Sequence, residues 1–100
     1  MIPKILQTSK QKIAEICRRH QISELSLFGS QARGDFSEAS DYDFLVEFFP
    51  DARIDYFELF KIQEELENLL DKRVDLVPKK GLRKLIRRQV LSEAEIVYAT

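Results

Sequence analysis

The sequence has a single cysteine, Cys17, so no internal disulfide can form and a reducing compartment is the natural setting. It also has a single histidine, His20, and one of each leaves almost no basis for a zinc site built from nitrogen and sulfur ligands. No apolar run approaches the ~20 residues that span a bilayer, and Met1-Ile2-Pro3-Lys4 lacks the apolar core of a secretory signal. The formal net charge is −1, which gives no bulk electrostatic case for binding nucleic acid. There is no internal repeat, low-complexity segment or inter-domain linker. These absences lead us to expect a cytoplasmic protein with no membrane association and no direct nucleic-acid partner.

What is present fits one folded unit. One hundred residues, 44% apolar and 33% charged, suit a single domain over 1–100 with one modest core. The charge is unevenly spread. Acids dominate from Glu38 to Asp75, whereas Lys79 to Arg88 is strongly basic.

Ile13, Ile16 and Cys17 recur at helical spacing among polar neighbours, which predicts a helix over about Ser9–His20 with Ser9 as its N-cap. Ile5 and Leu6 extend the pattern one turn earlier. Cys17 falls on the apolar stripe and reads as a small buried hydrophobe, and His20 stands where a cation suits the helix dipole. Glu24–Phe28 reads as a strand, Asp41–Phe48 as a second ended by Phe49-Pro50, and Arg73–Val77 as a third ended by Pro78. Between the last two, Asp55 and Glu58 form a capping box for a helix reaching about Leu70. Its apolar stripe is Leu59, Ile62, Leu66 and Leu69, with Tyr56 and Phe60 alongside; Glu64, Glu65 and Glu67 read as its solvated face. A helix over about Leu82–Ser92 follows Gly81, with Leu82, Leu85, Ile86 and Val90 inward and Lys80, Arg83, Lys84, Arg87 and Arg88 outward. Ile96-Val97-Tyr98 closes the chain as a short strand.

Alternation on the second strand puts Asp41, Asp43, Leu45 and Glu47 on one face and Tyr42, Phe44, Val46 and Phe48 on the core face. Asp41 and Asp43 then point the same way, about 6.6 Å apart along the backbone. Paired carboxylates repel unless a cation sits between them, and a divalent metal is the usual answer. A calcium loop does not fit, because Leu45 occupies the next ligand position and neither glycine nor a terminal glutamate follows in place. Before these acids, Gly29 ends the first strand; backbone N–H groups at such a turn make a phosphate cradle, although an ordinary strand-ending turn looks the same.

Gly29-Ser30, ten intervening residues and Asp41-x-Asp43, with Arg33-Gly34 and Ser40 between, resemble the signature of minimal nucleotidyltransferases (MNT), small relatives of the polymerase β superfamily. The resemblance runs from about Ile13 to the C-terminus. It implies an α/β fold of the polymerase β-like nucleotidyltransferase kind, with a small mixed β-sheet flanked by helices. It implies a third acid on a later strand, for which Val74-Asp75-Leu76-Val77 offers Asp75; a surface acid on an edge strand is the plainer reading.

The same resemblance implies that Asp41, Asp43 and Asp75 hold magnesium, with two ions expected, and that ATP is the substrate. Gly29 and Ser30 would hold its triphosphate. Arg33 is a candidate for a phosphate contact, or else a partner for Asp35, and Gln31 to Ser40 would form a wall of the nucleotide site. Proteins of this size look like the antitoxin of a HEPN–MNT toxin–antitoxin pair, in which AMP passes from ATP to a tyrosine of the HEPN ribonuclease toxin. The alternatives are a non-catalytic antitoxin that occludes its partner, or nucleotidyl transfer to a small hydroxylated molecule. A homo-oligomer is left open.

Overall fold

A computed structural model of the protein describes residues 2–34 and 41–100. The elements in order are α1 (Lys4–Thr8), α2 (Lys10–Arg19), β1 (Ile22–Phe28), α3 (Ser30–Arg33), β2 (Tyr42–Phe48), α4 (Tyr56–Leu70), β3 (Val74–Pro78), α5 (Lys84–Glu93) and β4 (Glu95–Ala99). The four strands form one sheet in the order β3-β2-β1-β4. β2 and β3 run parallel, while β1 is antiparallel to both β2 and β4, so the sheet is mixed as expected.

The alternation on β2 sorts the two faces. Tyr42, Phe44 and Val46 are buried with Leu25 and Leu27 of β1 and Val74 and Leu76 of β3, and all seven belong to one core with Ile13, Ile16 and Cys17 of α2 and Ile62, Leu66 and Leu70 of α4. Desolvating these side chains from two helices and three strands together supplies the main driving force for folding. The opposite face carries Asp43, Leu45 and Glu47, paired in register with Phe28, Ser26 and Glu24. Glu24 and Glu47 lie directly opposite each other, a repulsive arrangement that Lys79 Nζ offsets at 3.7 Å and 4.0 Å.

Three details differ from the sequence reading. The first helix is broken at Ser9, which joins α1 to α2 without a side-chain capping bond. Tyr56, Phe57 and Phe60 stand out in solvent, because the core-facing stripe of α4 runs through Ile62, Leu66 and Leu70 and turns these aromatics away. On α5 only Val90 is buried; Leu85 is 96% exposed and Ile86 nearly half exposed. Among the described residues the main packing partner of α5 is β1, and the apolar stripe finds surface for only part of its length.

The glutamates of α4 also do more than face solvent. Glu65 accepts from His20 Nε2 at 2.5 Å and from Arg19 Nη2 at 2.7 Å, which ties the end of α2 to α4. Glu67 Oε2 accepts the Val74 N–H at 3.0 Å, and Gln63 Oε1 accepts that of Leu76 at 3.4 Å. Two N–H groups of edge strand β3 are thereby satisfied by side chains of α4. The Asp55 capping bond is present, with Oδ1 accepting the Glu58 N–H at 2.8 Å.

Candidate active site

The site is assembled at one corner of the sheet by strand register. Phe28 is the register partner of Asp43, so Gly29, the next residue, arrives beside that aspartate as β1 ends. On the other side Asp43 is paired with Asp75 across the parallel β2–β3 ladder. Residues in register on adjacent strands project to the same face, which sets the two carboxylates side by side. Asp41 lies just before β2, exposed, and the Tyr42 N–H bonds to the Arg73 carbonyl at 2.9 Å, holding this segment against the start of β3.

Gly29 is needed here twice over. Its φ of 75° and ψ of −156° lie where a side chain is strained. A Cβ on it would stand 2.5 Å from Asp43 Oδ2, closer than any non-bonded contact permits. After it the chain turns at once into α3, with the Gly29 carbonyl accepting from the N–H groups of Ala32 and Arg33, both at 3.1 Å. Gly34, in the left-handed region, closes that single turn through its N–H to the Ser30 carbonyl at 2.9 Å. Gln31 and Ala32 are buried and pin the turn, so its backbone is fixed next to the acids.

Burial comes first in the electrostatics of this corner, and like charges second. Burial raises the Asp43 carboxyl above its ordinary value, the charges of Asp75 and Asp41 raise it further, and the Arg33 guanidinium opposes them by less. Among the described residues, no three His, Cys, Asp or Glu side chains stand close enough to enclose an ion. Asp43 and Asp75 offer carboxylate oxygens, hard ligands that suit magnesium better than softer metals.

Arg33 is found in an ion pair that sequence reasoning missed, with Nη1 at 3.1 Å from Glu93 Oε2 at the end of α5. Nothing in the local sequence announces a partner sixty residues away. Asp35 and Ser40, and the proposed wall over Gln31 to Ser40 beyond Gly34, lie outside the described residues. Cys17 and His20 belong to the core side: burial pushes the Cys17 thiol up to about 12, and His20 is engaged by Glu65 and Glu58.

A mixed four-stranded sheet with a glycine-serine turn against in-register acids is the architecture of a nucleotidyltransferase, and the chain belongs to the nucleotidyltransferase domain family, whose profile matches residues 10–97. Within that family it stands with the minimal nucleotidyltransferases that act as protein adenylyltransferases. The protein adenylyltransferase MntA of Thermococcus cleftensis is 38% identical over 97 residues, covering 97% of this chain and 91% of that one. A candidate protein adenylyltransferase of Methanocaldococcus jannaschii is 36% identical over 81 residues, covering 81% of this chain and 88% of its own. Among solved structures, a candidate minimal nucleotidyltransferase superposes with a TM-score of 0.78 at 36% identity, covering 95% of each chain. A chain of a toxin–antitoxin solved with AMP-PNP superposes with a TM-score of 0.74 at 25% identity, covering 91% of this chain and 73% of that one.

Proposed function

We propose that residues 1–100 form one minimal nucleotidyltransferase domain that transfers AMP from ATP to a tyrosine of a cognate HEPN ribonuclease toxin, with magnesium, and so acts as its antitoxin in the cytoplasm. The observation that carries this reading is the close approach of the Gly29 turn to Asp43, which stands in register with Asp75 on the neighbouring strand.

In this reading the backbone N–H and hydroxyl of Ser30, with Arg33, hold the triphosphate, while Asp41, Asp43 and Asp75 hold the divalent cation. Bound magnesium would neutralise phosphate charge and help the hydroxyl lose its proton. The chain's own part is to fix the α-phosphorus in line with the incoming tyrosine oxygen. A tyrosine O–P bond forms, the bond from the α-phosphorus to the bridging oxygen of pyrophosphate breaks, and pyrophosphate leaves with the electron pair. The tyrosine proton passes to a site carboxylate or to water.

Incubating the protein with ATP, magnesium and the HEPN protein encoded beside it, then weighing that partner, tests the reading. AMP-sized increments on a tyrosine are expected with the wild type and not with Asp41→Asn/Asp43→Asn. No increment from either protein would reject it. Neutralisation of the toxin in cells by the double variant would favour simple occlusion instead.

A further inference from the structure

Among the described aromatic residues, three stand in solvent together at the start of α4: Tyr56 and Phe57 are each 88% exposed and Phe60 is 65% exposed. Phe60 follows the other two at helical spacings of four and three, so the three rings form one continuous apolar ridge. Beside the ridge runs a groove of about 360 Å³ lined by Phe48, Ile54, Asp55, Tyr56, Leu59 and Pro78. That volume lies in the range that buries a small ligand, so an aromatic side chain fits it. One short stretch of chain thus carries both an apolar knob and an apolar hole. The groove lies where β2 and β3 end, at Phe48 and Pro78, whereas Asp43 and Asp75 stand near their beginnings. The strand from Asp43 to Phe48 is about 16 Å long, and α4 packs on the core face while Asp43 lies on the other. A body seated on the ridge leaves the acids uncovered.

We propose that this ridge and groove join two copies of the chain about a two-fold axis, the phenyl rings of each copy entering the groove of the other. A two-fold interface needs one patch complementary to itself, which a knob beside a hole provides. Aromatic side chains bury about 150–250 Å² each, so at these exposures the three offer roughly 350–600 Å² per copy. Two copies hide about 700–1,200 Å² through these residues alone, and the groove walls carry the total toward the range of about 1,200–2,000 Å² that specific interfaces occupy. The rim carries both signs, Arg53 and Lys61 with Asp55 and Glu64, all exposed, so the axis need not set like charges together. The exposed apolar residues of α5 make the contrast. Leu85 and Ile86 sit among Arg83, Lys84, Arg87 and Arg88, and pairing there would press two basic surfaces against each other.

The test is the mass of the full chain by sedimentation velocity, from low to high micromolar concentration, for the wild type, Phe57→Asp/Phe60→Asp and Leu85→Asp. The wild type should sediment as a dimer, and so should Leu85→Asp. The double variant should be monomeric, its dimer Kd weakened at least about a hundredfold by the loss of two central anchors. Both substituted side chains are exposed and aspartate suits the first turns of a helix, so its circular dichroism and Tm should match the wild type. Phe57→Ser/Phe60→Ser, which adds no charge, should be monomeric as well. Initial rates of AMP transfer per chain should stay within about twofold in the monomeric variants, because the acids lie at the other pole. A monomeric wild type, variants that dimerise like the wild type, or dissociation by Leu85→Asp would overturn the proposal. So would a folded double variant that loses transfer or its complex with the HEPN protein, since the face would then belong to that partner. The transfer readout rests on the proposed activity; where the wild type transfers nothing, that reading fails and sedimentation alone decides this one.

Discussion

At the scale of single residues, Gly29 and Asp43 constrain each other. Alanine at position 29 would have to adopt a left-handed φ and also displace the Asp43 carboxylate, whose Oδ2 occupies the space a Cβ needs. Strain of that kind costs about 1–3 kcal/mol, so Gly29→Ala should lower the Tm and abolish AMP transfer even where the protein remains folded. Asp43 shows the reverse relation between stability and function. Burial, then Asp75, then Asp41 hold its folded pKa above the unfolded value, so its charged form costs stability at neutral pH. Asp43→Asn is expected to melt a few degrees higher than wild type at pH 7 while losing transfer. The difference in Tm should shrink as pH falls through the raised folded pKa and the wild-type carboxyl protonates. A variant that melts lower at pH 7, or a gap that widens on acidification, would contradict this. Cys17 makes a simpler case: fully buried and with its thiol at about 12, it should resist alkylation at pH 8 until the protein is unfolded, as mass spectrometry can read.

At the scale of elements, the clamp between α2 and α4 carries its own pH signature. Burial would raise Glu65, but hydrogen bonds from Arg19 and His20 outweigh it and leave the carboxyl below its ordinary value. A depressed carboxylate contributes stability that is complete above its unfolded pKa and is lost as pH falls through the lower folded one. Glu65→Gln should therefore cost about 1–2 kcal/mol in urea unfolding at pH 7, and the two proteins should converge in acid, below the ordinary glutamate range. The sequence announced the strands and their faces well, since a period of two over Tyr42–Phe48 leaves one choice of buried side and the flanking Gly and Pro residues mark the ends. The corner that gathers Gly29, Asp43 and Asp75 followed from strand order, which the family resemblance supplied and no local pattern could. What stayed hidden was contact between distant elements. Periodicity marks Leu85 and Ile86 as able to be buried but says nothing of whether a sheet lies beneath them. Likewise Glu65, Glu67 and Glu93 look alike in sequence, and only the packing of α4 and α5 turns them into a clamp, an edge cap and an arginine partner.

For the molecule as a whole, the acidic corner stores repulsion that a bound cation and nucleotide would relieve. Most of the core lies on the opposite face of the sheet, so a change of charge at the corner shifts stability without removing core side chains. Any ligand that binds only the folded state stabilises it by mass action, about 2.7 kcal/mol at a concentration one hundred times Kd. We therefore expect magnesium with ATP to raise the Tm of the wild type in a concentration-dependent way, and magnesium alone to raise it by less. Asp41→Asn/Asp43→Asn should start from an equal or higher Tm, since like charges have been removed, and should respond to neither addition. Differential scanning calorimetry across a magnesium series decides the matter. If the double variant is stabilised as strongly as the wild type, the cation binds elsewhere on the protein and the carboxylates at the ends of β2 and β3 hold nothing.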